Sequence, residues 1–150
     1  RIVEEQESEG GEMIEISRNY FAISTRTNSV YYFGEEVDIF KDGKIANHAG
    51  AWEAGVNGAK WGLGMPGEPL VAARYYQEIA PKVAMDRAEV TSTTASFTTP
   101  AGAFKNCVVT EETSPLEPGH GDRKTYAPGV GLLNDGSLKL VKYGMHAAGK

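Results

Sequence analysis

Apolar residues recur along this chain in short β-branched and aromatic runs rather than at helical spacing. Met13, Ile14 and Ile16 lead into Tyr20-Phe21-Ala22-Ile23, and Val30-Tyr31-Tyr32-Phe33 and Val37-Asp38-Ile39-Phe40 follow after short polar breaks. Runs of this composition and length predict strands. Ile2-Val3-Glu4-Glu5 opens the chain in the same way, and strand character returns over 91–99, 104–110, 124–127, 130–133 and 138–143. Turn residues punctuate these runs: Gly10-Gly11, residues 25–29, Asp42-Gly43, Pro100-Ala101-Gly102 and Asp135-Gly136. The two Asp-Gly pairs lie between apolar or alternating flanks and predict tight hairpins, whose central residues favour positive φ. Residues 70–79 fit either a short helix ended by Pro81 or an extended strand. The all-β context favours the strand, and the Ala-rich stretch 83–90 is a similar case.

The middle of the chain breaks the pattern. Between Gly50 and Pro69 stand Gly50, Gly55, Gly58, Gly62, Gly64 and Gly67 with Pro66, interleaved with Trp52, Val56, Trp61, Leu63 and Met65. This glycine density argues against a strand or helix, while two indoles and several aliphatics demand burial. The expectation is therefore a long ordered loop folded down as a lid over the rest. No 20–50-residue period repeats along the chain. The pattern predicts an all-β fold, an antiparallel curved sheet of about eight to eleven strands, half-barrel or barrel-like, with the Gly/Pro-rich ordered loop at 50–69. It reads as one domain over 1–143 with a frayed tail at 144–150.

Composition narrows the function classes. Eighteen glycines and seven prolines in 150 residues suit a chain that turns often. Fifteen Lys and Arg against twenty Asp and Glu give a net charge of −5 without a dense basic cluster, which argues against nucleic acid as a partner. No apolar stretch approaches the ~18 residues of a spanning helix, and no basic-then-apolar leader pattern is visible near the start. Cys107 is the only cysteine, so no intrachain disulfide can form, and it reads as a small buried hydrophobe.

A series of motifs resembles a known pattern. Tyr31-Tyr32-Phe33-Gly34-Glu35-Glu36-Val37-Asp38, Gly50-Ala51-Trp52, Met65-Pro66-Gly67 and Tyr75-Tyr76-Gln77-Glu78 are followed in order by Thr99-Pro100-Ala101-Gly102, Pro115-Leu116-Glu117-Pro118-Gly119 and Tyr126-Ala127-Pro128-Gly129-Val130-Gly131-Leu132. Taken together, they resemble uncharacterised bacterial exported or lipoprotein-like β-rich proteins over residues 20–143. The resemblance implies an extracellular, periplasmic or cell-envelope location and further strands upstream of Arg1. It carries no established activity. His120 in the Gly119-His120-Gly121 turn and the Met145-His146 tail depart from the pattern.

Candidate chemistry comes from aromatics and carboxylates. Trp52, Trp61, Met65, Tyr32 and Tyr76, with Gln77 and Glu78 as polar orienters, are the expected lining of a site beneath the 50–69 loop, suited to a small apolar or sugar-like ligand. Ordinary core packing is the competing reading. Adjacent tyrosines of an extended pair point to opposite faces, so one of Tyr31-Tyr32 and one of Tyr75-Tyr76 should turn inward. A carboxylate-based hydrolase using Glu78, Asp86 or Glu89, with metal assistance from His48 or His120, is the alternative function. Self-association through an edge strand at 2–9 is the third. Glu117, His120 and Asp122 form a Pro/Gly-shaped acidic turn that could hold calcium, the one candidate cofactor, against a solvated loop as the simpler reading. The three histidines, His48, His120 and His146, have no metal-ligand spacing. Gly62-Leu63-Gly64-Met65-Pro66-Gly67 lacks the Lys and helix of a phosphate cradle.

Overall fold

The computed structural model describes residues 1–145 and contains twelve strands, with no helix among the described residues. The long apolar-aromatic runs merge into single strands: β1 (Ile2–Glu9), β2 (Glu12–Ile23) and β3 (Val30–Lys41). Short strands β4 (Lys44–Asn47), β5 (Trp52–Glu53), β6 (Gly62–Met65) and β7 (Arg74–Tyr76) cover the middle of the chain. A second set follows as β8 (Arg87–Thr99), β9 (Gly102–Thr113), β10 (Asp122–Ala127), β11 (Gly131–Asp135) and β12 (Leu138–Lys139).

These strands form two six-stranded antiparallel sheets. The first runs β1-β2-β3-β4, with β5 and β6 also paired to β3, and the second runs β12-β11-β10-β9-β8-β7. Neither closes into a barrel, so the architecture is all-β and antiparallel, consistent with the predicted curved sheet or half-barrel, but its twelve strands are divided between two sheets instead of forming one of eight to eleven. An isolated antiparallel bridge pairs Lys60, just before β6, with Ile79, just after β7, and so links segments that lead to the two sheets. The ambiguous 70–79 segment is not helical: a turn at Val71-Ala72, with Ala72 at positive φ, leads into the short strand β7 at Arg74–Tyr76. The frayed-tail expectation falls largely outside the described residues, as does His146.

Two expectations are corrected by local geometry. The 50–69 segment is not a strandless loop, because β5 and β6 both hydrogen-bond to β3. Two of its glycines serve close backbone crossings: a Cβ at Gly62 would overlap the Gln77 carbonyl and one at Gly67 that of Thr27, while on β3 one at Gly34 would overlap that of Trp52. The hairpins also differ from each other. Asp42 and Gly43 both adopt positive φ between paired Lys41 and Lys44, as expected. At the other pair Asp135 stays in β11, and the turn is Gly136-Ser137 with positive φ at Gly136 alone. A glycine at the first central position is the other favoured two-residue solution.

Two apolar clusters anchor the sheets. Tyr32, Trp52, Ala59 and Ala80 pack with Phe21, Ala54 and Ala84, the glycine-rich segment itself supplying Trp52, Ala54 and Ala59. Cys107, Ala127 and Leu133 pack with Phe97, Phe104, Val130 and Leu140 on the second sheet, and Leu133 is 1% exposed. Burial of a leucine to this degree contributes roughly 1.5–3 kcal/mol. The space between the sheets is different, because polar side chains project into it.

Candidate functional site

The polar interior follows from strand register. Glu5 pairs with Ser17, Glu7 with Glu15, Val3 with Asn19, and Asn19 in turn with Glu35, so these residues share one face of the first sheet. On the second sheet Ala88 pairs with Glu112, Val90 and Lys124 both pair with Thr110, and Lys124 pairs with Asp135. Glu5, Glu7, Glu15, Glu35, Glu78, Glu112 and Asp135 all act electrostatically on Lys124 or on one another.

A bulge places Glu35 there. Between Asn19 and Phe21 the β2–β3 register slips, so that Asn19 opposes Glu35 while Phe21 opposes Tyr32. Tyr32 and Glu35 are three apart and would face opposite sides of a regular strand, and the bulge turns both inward. The Tyr32 ring stacks on Phe21 at 4.6 Å and meets Trp52 edge-on at 5.3 Å. Its hydroxyl donates to Asn19 Oδ1, and the Asn19 amide donates to Ser17 Oγ at 3.0 Å.

Glu112 is the best-satisfied carboxylate of the interior. At 5% exposure, its Oε1 accepts from Thr110 Oγ1 at 2.7 Å, Gln77 Nε2 at 3.0 Å and the Tyr126 hydroxyl at 3.0 Å. Its Oε2 lies 3.4 Å from Lys124 Nζ, which also reaches Asp135 Oδ2 at 3.0 Å. Burial works to lower the Lys124 pKa, but Glu112, Tyr126 and Asp135 outweigh it and hold the ammonium well above its ordinary value. Burial, reinforced by the Glu112 charge, pushes the Tyr126 hydroxyl up as well.

Other carboxylates lack such partners. Burial lifts Glu78 to about 8, and the charges of Glu35 and Asp86 add to it. Burial likewise lifts Glu35 to about 7 against the pull of the Tyr32 hydroxyl, and Glu7 to about 7 with Glu15 and Asp135 contributing. Glu5 and Glu15 are raised mainly by burial. With Lys124 already engaged, these acids share too little positive charge to ionise together at neutral pH.

Beside Glu35 the surface opens into a cleft of about 450 Å³, whose walls include Tyr20, Glu36, Trp52, Glu53 and Val83. Trp52 pairs with Glu35 across β5 and β3, is 7% exposed, and has an indole N–H without a protein acceptor. The Glu36 carboxylate, bonded to the Tyr20 hydroxyl, raises that tyrosine's pKa.

The expected lining residues part company here. Trp52 and Tyr32 are buried against each other in the first apolar cluster, Gln77 is buried on Glu112, and Glu78 is partly buried in the carboxylate interior. Trp61 is 53% exposed and stands edge-on to Tyr31 at 5.2 Å. Tyr76 is also exposed and sits 5.9 Å from the Arg87 guanidinium, whereas its neighbour Tyr75 turns inward, its hydroxyl 3.8 Å from Met65 Sδ. The strand phase of β7 decides this pair, and the motif does not reveal that phase. Asp86 engages Gln77 and Glu78 through its backbone carbonyl, and Glu89 pairs with Arg74 at 2.8 Å. His48 Nδ1 lies 2.8 Å from the Val37 carbonyl and 3.0 Å from Asp38 Oδ1. Glu117, His120 and Asp122 are all exposed, and no group of three His, Cys, Asp or Glu residues among the described residues is arranged to hold a metal ion.

Sequence reasoning missed Glu35, Thr110, Glu112, Lys124 and Tyr126 as members of the interior. One signal was available: β1 reads Ile2-Val3-Glu4-Glu5-Gln6-Glu7-Ser8-Glu9, polar on both faces, which marks a strand whose inner face meets other polar groups. No described helix is long and apolar enough to cross a membrane. No family model, no curated protein and no solved structure matches this chain.

Proposed function

We propose that this domain is a non-catalytic binding module, exported or envelope-associated, that holds a small sugar-like or partly apolar ligand in the cleft beside Trp52. The observation that carries this reading is a nine-tenths-buried tryptophan whose indole N–H lacks an acceptor, in the wall of a cleft of ligand size. Apart from Trp61, exposed at 53%, Trp52 is the chain's only tryptophan. In a Trp61→Phe protein, fluorescence therefore reports on the cleft alone. Titration with a panel of glycans, amphiphiles and aromatic cofactors should shift or quench this signal for one class. A flat response across the panel rejects the reading.

A carboxylate-based hydrolase is the second reading, favoured by the separation of Glu78 at about 8 from ordinary carboxylates, a pattern that suits a general acid. It predicts turnover of a chromogenic glycoside or ester that disappears in Glu78→Gln. No turnover at any pH from 5 to 9 removes it. Self-pairing through β1 is the weaker third reading, because Glu4, Glu5, Glu7 and Glu9 load that eight-residue edge strand with like charge.

A further inference from the structure

The two sheets are joined in different ways along their two sides. On one side backbone meets backbone. The Lys60 N–H donates to the Ile79 carbonyl at 2.8 Å, the Gln77 carbonyl leaves no room for a Cβ at Gly62, and the Tyr75 hydroxyl reaches Met65 Sδ at 3.8 Å. On the other side β1 is the edge of the first sheet and β12 the edge of the second, and among the described residues no ladder pairs them. Side chains alone face one another there: Glu5 and Glu7 of β1 and Glu15 of β2 act electrostatically on Asp135 of β11 and Lys124 of β10. No ion pair among the described residues crosses between the sheets. Lys124 commits both of its contacts to its own sheet, 3.4 Å from Glu112 and 3.0 Å from Asp135.

This open seam therefore depends on protons. Glu7 and Glu15 are directly opposed across β1 and β2, a placement that neutral carboxyls tolerate and ionised ones do not. Burial holds Glu7 at about 7 and raises Glu5 and Glu15 as well. A value raised by folding means that the protons support the closed form and that this support is lost as pH rises through about 7. Groups deeper in the interior do not relieve the seam. Glu35 and Glu78 also share Lys124, Asp86 adds its charge to that of Glu78, and burial keeps the Tyr32, Tyr75 and Tyr126 hydroxyls neutral.

From this asymmetry we propose that the fold is a proton-latched hinge: the sheets stay closed while Glu7 and Glu15 keep their protons, and swing apart at the β1–β11 side, about the β6–β7 junction, when both ionise against Asp135. The device does not depend on what the cleft binds.

Nitroxide labels at Gln6→Cys and Ser137→Cys, exposed positions flanking the seam, measure its width in a Cys107→Ala background. From pH 6 to pH 9 their separation should lengthen by roughly 3–5 Å, a fraction of the ~10 Å between packed sheets, and should recover on reacidification. A second pair at exposed positions of the stitched side, Lys60→Cys with Arg74→Cys, should hold its distance, and the far-ultraviolet circular dichroism should stay constant. Glu7→Gln with Glu15→Gln removes the repulsion and should cut the lengthening by at least about half. On the unlabelled chain, small-angle scattering should show a matching rise in radius of gyration. A seam distance and a radius that stay flat from pH 6 to pH 9 overturn the hinge. Lengthening of both pairs with loss of circular dichroism overturns it as well, because that is unfolding. Full lengthening in the double variant places the trigger elsewhere and removes Glu7 and Glu15 as the latch.

Discussion

Glu112 and Glu78 are both withdrawn from solvent within the same interior, yet their surroundings differ in kind. Glu112 accepts three hydrogen bonds on one oxygen and faces Lys124 with the other. Glu78 has Glu35, Asp86 and Glu112 as electrostatic neighbours, with only the shared Lys124 to oppose them, and it is pushed to about 8. A buried charge with its partners in place holds strands in register. A buried acid without them keeps its proton and stays available for other chemistry. The contrast assigns Glu112 and Lys124 to architecture, and marks Glu78 and Glu35 as buried acids that no cation of their own balances.

Deleting the satisfied carboxylate is the strongest way to break this comparison. Glu112→Ala leaves Thr110, Gln77 and Tyr126 without their acceptor and Lys124 with Asp135 alone, and should cost about 3–5 kcal/mol by urea denaturation. A loss comparable to that of an exposed glutamate would show that the network is ornamental. Glu112→Gln keeps one acceptor oxygen and should cost less.

The proton-holding acids predict the next effect, and its sign is opposite to ordinary acid denaturation. Glu78, Glu35 and Glu7 titrate at about 8, 7 and 7 in the folded chain, against roughly 4.3 unfolded. Between those values the folded state binds more protons, so their contribution is complete below about pH 4 and is lost as pH rises through 7 to 8. Melting temperature should therefore fall between pH 5 and pH 9, and Glu78→Gln, which cannot ionise, should flatten the upper part of that fall. Melting that improves steadily toward pH 9 would show that these acids ionise freely.

Backbone crowding gives a smaller effect. Gly62→Ala forces a methyl group into the Gln77 carbonyl, and the resulting shift should cost about 1–3 kcal/mol and disturb the amide that bonds Glu112. The smallest change sharpens the contrast from the other side. Glu117 is a solvated carboxylate in the loop after β9, so Glu117→Gln should alter stability by less than about 0.5 kcal/mol.

Much of the fold is legible in the residues themselves. The β-branched and aromatic runs yield β2, β3, β8 and β9, and the Asp42-Gly43 hairpin follows from local φ preference, because these are properties of a few consecutive residues. The burial of Trp52 and Tyr32 was also readable, as large aromatics seek cover, but the same rule put Trp61 inside, and that indole is 53% exposed against Tyr31. What lies among Glu35, Glu78, Glu112 and Lys124 was not readable, because it depends on the slip between Asn19 and Phe21, on the crossing at Gly62 and on which sheets come face to face. The same limit explains why Tyr75 rather than Tyr76 turns inward: a one-residue change in strand phase exchanges the two faces without altering composition. Local sequence thus determined which segments are extended and where they turn. Tertiary structure alone decided which carboxylates find partners, since the pairing of charges is a matter of distance in space, and strands far apart in the chain set that distance.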